Sequence, residues 1–544
     1  MDKSKLKKFA TTTRIELMQI VSAKLDFLLN LDIDNLPVAY RSSKEHIKTI
    51  TKLTETKQAK EDFIEEVAYI WFNRLIALRF MDANSITEVP VITPTQEGAN
   101  PAIFASAKEG DIDSELKIDT KKFYDLIDGK INASNPENEA YSMLFISACN
   151  YYSNLMPYMF ETIEDYTELL LPDDMLSSKS VRAKVVESMD NESCKDIEII
   201  GWLYQFYISE KKDDVFAMLK KNTKITPSNI PAATQLFTPH WIVKYMVENS
   251  LGKLWMLNNP TSSLKEHMKY YIQSDEEPKE FLKIDSPQEL TILDPCCGSG
   301  HVLTYAFDLL TLIYEEQGYS KSEIPSLILE NNIYGCDIDK RASSLANFAL
   351  TMKARLYHRR FFRKNTKPKV LELEEFGSEI FKNIKNYGSL LNPVDNDSFE
   401  GGIFSQNSEA YELQKQLLTQ EYSCVVTNPP YMGSKGMNKE LSDFVKKRYP
   451  DSKSDLFAVF MERTLELTKP YGFMSMINQH SWMFLSSYEK LRIKIIENHS
   501  IDTLVHLGAR AFEEIGGEVV QSVAFVLQKD GLSTNALNVL EKGD

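Results

Sequence analysis

The segment Ile292-Leu293-Asp294-Pro295-Cys296-Cys297-Gly298-Ser299-Gly300-His301 places most of the chain. Thr291 to Leu293 reads as the end of a buried strand. Gly298 and Gly300 then let the backbone turn tightly and approach a ligand without a Cβ in the way. A helix over 301–317 follows, and its first free N–H groups point back into the same crevice. Asp294 stands at the carboxyl end of the strand, where open α/β sheets bind their ligands. An ordinary tight strand-to-helix turn is the competing reading.

Working outward, the next strand of such a sheet should end in an acid that holds ribose hydroxyls. Ile333-Tyr334-Gly335-Cys336-Asp337-Ile338-Asp339 supplies one. The gap from Gly300 exceeds the roughly 20 residues of a dinucleotide fold, and a polar insertion around Gly318 to Pro325 accounts for the excess. Asp337 and Asp339 are expected on one strand face, so spacing does not separate them. From about residue 235 short apolar runs alternate with helical stretches, which predicts an α/β sheet with crossover helices. Residues 1 to about 225 read as mostly helical, most clearly from Glu61 to Met81, where Phe63, Ile64, Val67, Trp71, Leu75, Leu78 and Phe80 fall near helical spacing. Thr223 to Thr234, with Pro227 and Pro231, reads as a boundary. The expected organisation is therefore a helical domain over 1–225, an α/β domain over 226–530, and a tail or cut end over 531–544. No internal repeat is evident.

The second informative segment is Val425-Val426-Thr427-Asn428-Pro429-Pro430-Tyr431, delivered by an apolar strand over Cys424 to Val426. With 21 prolines in the chain one Pro-Pro pair arises by chance, but Asn before it and Tyr after it leave roughly one chance in 500. A rigid turn is the alternative. The chemistry explains the residue types. The amino lone pair of adenine is delocalised into its ring and is a poor nucleophile. Two acceptors on its two N–H bonds would draw the nitrogen toward tetrahedral geometry and aim the lone pair at an electrophilic methyl group. The Asn428 amide oxygen and the Pro429 carbonyl can be those acceptors, and two prolines keep the carbonyl aimed. Tyr431 offers a flat face for a base removed from its duplex. No ionisable base is needed beside the nitrogen, so catalysis is mainly positioning.

Phe237-Thr238-Pro239 precedes an apolar-periodic helix through Ile242, Val243, Met246 and Val247. Thr238 is expected as its N-cap, Pro239 as its first residue, and Gly252 as its end. Composition bounds the rest. A chain of 544 residues, 43% hydrophobic and 26% charged, is that of a two- or three-domain globular protein and excludes collagen-like and wholly disordered classes. No run of about 18 apolar residues is present, and Tyr141 to Phe160 is broken by Ser142, Ser147, Asn150 and Ser153. The start, Met1-Asp2-Lys3-Ser4-Lys5, runs into no apolar core and is not read as a secretory signal. The six cysteines form no C-x-x-C pair and the eight histidines lack ligand spacing, so no metal is expected and a reducing cytoplasm is the expected compartment. A net charge of −16 argues against coating nucleic acid by bulk charge while leaving room for a local basic groove.

The order Phe-Thr-Pro, Asp-Pro-x-x-Gly-x-Gly, a strand-end acid and Asn-Pro-Pro-Tyr resembles the gamma class of amino-methyltransferases, S-adenosylmethionine-dependent DNA adenine-N6 enzymes with a Rossmann-like class I sheet. Asp455 to Arg463 resembles that family's next helix, Phe473 to Asn478 its next strand, and Ser481-Trp482-Met483 to Leu491-Arg492 the motif beyond. Gly516 to Val520 leading into Ala524 to Leu527 resembles its closing hairpin. Lys7-Lys8-Phe9-Ala10 and Phe63 to Leu75 are similar to PglX, the methyltransferase family of BREX phage defence. This resemblance implies host-DNA adenine methylation within a phage-defence system, on double-stranded DNA and beside other defence proteins. It implies that Phe237, Thr238 and Pro239 contact the cofactor and that Asp294 meets its ammonium group. Pro295, Cys296, Gly298 and Gly300 would line its methionine and ribose, and Asp337 with Ile338 would take the ribose. Asn428, Pro429, Pro430 and Tyr431 would hold the target adenine. Ser389, within Tyr387-Gly388-Ser389-Leu390-Leu391, is the candidate contact to the cofactor's adenine. Members of that family are longer, with a C-terminal specificity region. The chain is therefore expected to be the catalytic portion, a truncated or split form served by a separate specificity region or partner; a non-catalytic scaffold that binds cofactor is the alternative.

Two further stretches remain. Arg359, Arg360 and Arg363 lie in a basic run from Lys353 to Lys369 with Tyr357, Phe361 and Phe362 between the charges. They are candidate phosphate contacts, with a solvated helix face as the alternative. Glu115-Leu116-Lys117 matches half of a nuclease signature without its partner and is expected to be an exposed turn.

Overall fold

A computed structural model describes residues 2–160, 166–220, 223–234, 236–273, 278–394, 409–509, 511–512 and 521–530. The proposed tail, 531–544, and the hairpin tip, Gly516 to Val520, lie outside the described residues. The chain divides into two compact units, Met1–Ser209 and Glu210–Asp544.

The first unit is helical. Its long helices are Lys3–Leu29, Lys57–Ala83, Pro136–Leu155 and Glu198–Tyr207. Lys57–Ala83 begins where the Thr56 hydroxyl accepts from the Ala59 N–H, and it buries Trp71, Phe72, Leu75 and Phe80. Near its end the buried Asp82 carboxylate accepts three successive backbone N–H groups, from Val91, Ile92 and Thr93, at 2.9, 2.9 and 3.0 Å. That fixes the loop following the helix through charge-assisted bonds. Glu115 and Lys117 lie exposed in a turn, as expected.

The second unit is built on seven strands. They are β1 (Ile292–Asp294), β2 (Ile333–Asp337), β3 (Lys369–Glu372), β4 (Tyr422–Thr427), β5 (Thr468–Gln479), β6 (Ser500–Gly508) and β7 (Ser522–Gln528). Their order is β3-β2-β1-β4-β5-β7-β6. β1 to β5 are mutually parallel, and β7 runs antiparallel between β5 and β6. This is the Rossmann-like class I methyltransferase sheet expected from the sequence. Alternate residues face opposite sides, as a pleat requires. Ile292, Cys424, Val426, Phe473, Ile477, Ala524 and Val526 share one core, whereas Leu293 and Val425 enter another. Met474, Met476, Val523, Phe525 and Leu527 enter a third. Burial on both faces explains why the central strands read as continuous apolar runs rather than alternating ones.

Chain order reverses between β1 and β4. One side of the sheet continues to β2 and β3, the other to β5, so the carboxyl ends of β1 and β4 flank a topological switch point, the usual place for a ligand crevice. Helix His301–Glu316 crosses from β1 to β2 and helix Lys340–Tyr357 from β2 to β3.

Three local expectations are corrected. Thr238 is not an N-cap. The helix starts at His240, with Pro239 in the cap position and no side-chain cap bond, because the Thr238 hydroxyl is engaged elsewhere. Gly252 does not end that helix. The chain continues through a π-turn, Glu248–Gly252, into Lys253–Asn258, and the missing Cβ at Gly252 makes room for the Met268 side chain. Asp339 is not on the strand with Asp337. β2 stops at Asp337, and Asp339 caps helix Lys340–Tyr357 by accepting from the Arg341 N–H at 2.9 Å. Among the described residues no helix is long and apolar enough to cross a membrane.

Candidate active site

Asp294 ends β1 at 2% exposure. Its Oδ1 accepts from the Thr427 hydroxyl of the neighbouring β4 at 2.7 Å and from the Cys296 N–H at 3.1 Å. Burial pushes its carboxyl up to about 7, with the nearby Asp337 charge adding and the two hydrogen bonds opposing. Asp337 ends β2. Its Oδ2 accepts from the Gly298 N–H at 3.0 Å and its Oδ1 from the Asp339 N–H at 2.9 Å. Burial raises it to about 6. The two strand-end acids thus bracket the glycine turn, and the structure separates Asp337 from Asp339 where spacing did not.

The two glycines do different work. Gly298 has φ +51°, and a Cβ there would meet nothing within 4 Å. Gly300 has φ +84°, and a Cβ there would sit 2.8 Å from the Ala346 Cβ. Gly298 leaves open space at the turn, while Gly300 lets helix Lys340–Tyr357 pack close. Phe237 stacks on His301, the first residue of the following helix, with ring centroids 4.4 Å apart and planes at 18°. The Phe-Thr-Pro segment and the glycine turn are therefore neighbours.

Beneath the turn, the Ser389 hydroxyl donates to the Pro295 carbonyl at 2.7 Å, and the Cys296 Sγ lies 3.9 Å from it. Ile338 and Tyr387 pack on adjoining apolar clusters. The segment around Ser389 is braced by Arg463, 2% exposed, which donates to the carbonyls of Ser389, Leu391 and Leu418 at 2.9, 3.3 and 2.6 Å. Cys296 and Cys297 are free thiols rather than a disulfide.

Asn428 follows β4 directly. Its Nδ2 donates to the Thr238 Oγ1 at 3.0 Å and to the Leu236 carbonyl at 3.3 Å. Its Oδ1 accepts from the Tyr431 hydroxyl at 2.8 Å, and that hydroxyl also lies 2.9 Å from the Ile477 carbonyl of β5. Burial, with Asp455 adding, pushes the Tyr431 phenol far up, so the hydroxyl stays a donor. The Tyr431 ring is partly buried and lies 6.2 Å from Phe457, tilted by 42°. The turn beyond is stitched to helix Leu456–Glu466. The Asp455 Oδ1 accepts from the Met432 N–H at 3.0 Å, and the Met432 carbonyl accepts from the Leu456 N–H at 3.1 Å. Burial raises Asp455 to about 6.

The structure therefore gathers Phe237, Thr238, Pro239, Asp294 to Gly300, Asp337, Ile338, Ser389 and Asn428 to Tyr431 at the carboxyl ends of the central strands. Arg359, Arg360 and Arg363 are not there. Helix Lys340–Tyr357 starts beside Asp337 and carries the chain 18 residues away, about 27 Å at 1.5 Å per residue. The three arginines lie exposed beyond its far end. Within the same run Lys353 pairs with Asp308 and Arg355 lies over Phe362. Sequence reasoning missed Thr427, Asp455 and Arg463. Thr427 and Asp455 stood inside or beside quoted motifs without a role, and nothing local in sequence distinguishes Arg463 from a surface arginine.

The Eco57I restriction-modification methylase family matches residues 331–512. The adenine-specific methyltransferase BrxX of Escherichia coli O9:H4 (strain HS) is 37% identical, covering 87% of this chain and 45% of that protein. The adenine-specific methyltransferase PglX of Lacticaseibacillus casei (strain Zhang) is also 37% identical, covering 98% of this chain and 51% of that protein. The chain spans about half the length of these curated relatives. A solved DrdV–DNA complex is 12% identical with a TM-score of 0.47, covering 97% of this chain and 42% of that one. The likeness to PglX read from the sequence is borne out by the curated relatives.

Proposed function

We propose that this chain is the cofactor-binding and catalytic part of an S-adenosylmethionine-dependent DNA adenine-N6 methyltransferase that marks host DNA in a BREX-like phage-defence system. The observation that carries the reading is the Asn428 amide, oriented by Thr238 and Leu236, at the carboxyl ends of the strands beside two strand-end carboxylates, Asp294 and Asp337. The names of the curated relatives point the same way.

The residues present fit the cofactor. A cation and a pair of hydroxyls suit two strand-end acids, the buried Asp294 and the half-buried Asp337, in which desolvation outweighs the groups that favour the charge, Lys385 near Asp337 among them. Gly298 leaves the space that a Cβ would fill. Asp294 would take the ammonium group, Asp337 the ribose hydroxyls, and Phe237 with Pro239 one wall. Ser389, bonded to the Pro295 carbonyl, would sit toward the adenine end. S-adenosylmethionine supplies the electrophilic methyl group when bound.

The rest falls to the chain itself. The Asn428 oxygen and the Pro429 carbonyl accept the two N–H bonds of the target amine, and Pro430 holds that carbonyl in place. The Tyr431 ring lines the side of an extruded purine. Each of these groups acts by position, so the rate comes from alignment and from donors and acceptors set in advance. Double-stranded DNA is the substrate, and a separate specificity region or another defence protein selects the site.

Asn428→Ala should abolish methylation of adenine, read by mass spectrometry of nucleosides, while S-adenosylmethionine still binds by calorimetry. Methylated adenine from the Asn428→Ala protein would remove the amide from the mechanism. N4-methylcytosine in the wild-type digest would move the reading to the cytosine branch.

A further inference from the structure

We propose that Thr238 and Tyr431 are positioning residues which set the Asn428 amide through a hydrogen-bonded chain, Tyr431 by exchanging the partner of its hydroxyl when the target amine arrives. The inference rests on the adenine-methylation reading and assigns these two side chains a role beyond cofactor contact and base stacking.

An amide can present its oxygen or its nitrogen to the target, and only one orientation accepts an amine N–H. Leu236 decides which. A carbonyl has no hydrogen, so the group 3.3 Å from it must be the donor Nδ2. The opposite rotamer would set two acceptors against each other. The Thr238 Oγ1, 6% exposed, takes the second Nδ2 hydrogen at 3.0 Å. With both N–H bonds committed, the oxygen faces Tyr431.

The Tyr431 hydroxyl carries one hydrogen and faces two acceptors at nearly equal range, 2.8 Å to Asn428 Oδ1 and 2.9 Å to the Ile477 carbonyl. It can serve only one of them well at a time. Before the target arrives, donation to Asn428 satisfies an oxygen otherwise left poorly paired. When an amine N–H takes that oxygen, rotation about the phenol C–O bond turns the hydrogen to Ile477 without moving the ring. The amide stays satisfied before and after, and no reorganisation is needed at the moment of reaction. The same loop, 236–238, stacks Phe237 on the helix after the glycine turn, so its placement against that turn and the orientation of the target acceptor are set together.

The test uses the whole chain. Thr238→Val keeps shape and removes the acceptor, Thr238→Ser keeps the acceptor, and Tyr431→Phe keeps the ring and removes the hydroxyl. Thr238→Val should lower kcat about tenfold, Tyr431→Phe about fivefold, and Thr238→Ser little, scaled to the loss of one buried hydrogen bond. The loss should fall mainly on kcat in each, with a smaller change in the affinity for S-adenosylmethionine, because an amide set for the target is not set for the cofactor. Independently of activity, protein labelled with 15N-asparagine gives a side-chain amide signal that vanishes in Asn428→Ala. Its hydrogens should exchange slowly in wild type and quickly in Thr238→Val. Wild-type kcat and slow exchange in Thr238→Val, or wild-type kcat in Tyr431→Phe, would overturn the inference. Methylation retained by Asn428→Ala would instead refute the parent reading, and the exchange experiment would still decide whether Thr238 fixes the amide.

Discussion

Acidification should weaken S-adenosylmethionine binding in the neutral range, and the two strand-end acids set the size of the effect. Asp294 is raised to about 7 because burial disfavours its charge more than the Thr427 hydroxyl and the Cys296 N–H favour it. A bound ammonium reverses that balance, so binding draws the carboxyl into its charged form and releases the proton. With the free group at about 7, half of the molecules hold the carboxylate at pH 7 and about one in eleven at pH 6. Affinity should fall about fivefold over that unit and approach tenfold per unit below it. Asp337, raised to about 6, steepens the loss further down. Calorimetry in two buffers of different ionisation heat counts the protons: from Asp294, about half a proton released per cofactor at pH 7 and about 0.9 at pH 6, with any share from Asp337 adding to the second. Asp294→Asn should bind more weakly and flatten the profile between pH 7 and 6. A Kd constant over that unit, or tightening in acid, with no proton release, would refute the reasoning. The sign for the free protein is opposite. Carboxyls raised on folding hold protons that the unfolded chain has lost, so the unliganded fold loses stability as pH rises from about 4 to about 7.

The two glycines of the turn should separate by readout. Gly300→Ala forces a side chain into φ +84° and against Ala346 at 2.8 Å, and should cost about 2–3 kcal/mol of stability, seen as a lower Tm. Gly298→Ala meets no neighbour and should cost about 1 kcal/mol while weakening cofactor binding measurably; the reverse ranking would show that the two roles were exchanged. Neutralising Arg359, Arg360 and Arg363 together should flatten the dependence of DNA affinity on salt by up to about 3 in the log–log slope, and an unchanged slope would exclude them from the interface.

Much of the sheet was legible because its signals are local. Asp294 and Asp337 each end a strand and each precede a turn, and turn chemistry is written in adjacent residues. The Asn-Pro-Pro-Tyr segment was legible for the same reason, since two prolines after an apolar strand leave few conformations. Two of the three local errors share a cause. Thr238 carries every mark of an N-cap, but its hydroxyl is taken by Asn428, far away in sequence and adjacent only after β4 pairs with β1. Gly252 carries the mark of a helix end, yet the space it leaves is filled by Met268 from another segment. In both cases a tertiary partner outcompeted a local preference of about 1 kcal/mol.

The same distinction governs the acceptor group. Sequence could nominate Asn428 but could not say which end of its amide faces the target. That choice depends on a carbonyl from residue 236, a hydroxyl from residue 238 and the Tyr431 hydroxyl, which also reaches the Ile477 carbonyl of β5. Nor could sequence distinguish Arg463 from a surface arginine, although its guanidinium closes three buried carbonyls around the Ser389 segment. The residue types that do the chemistry are thus visible in the chain, whereas the hydrogen bonds that aim them arise only when strands distant in sequence meet in one sheet. Substitutions that leave Asn-Pro-Pro-Tyr intact but alter Thr238 therefore probe a level of organisation that motif matching does not reach.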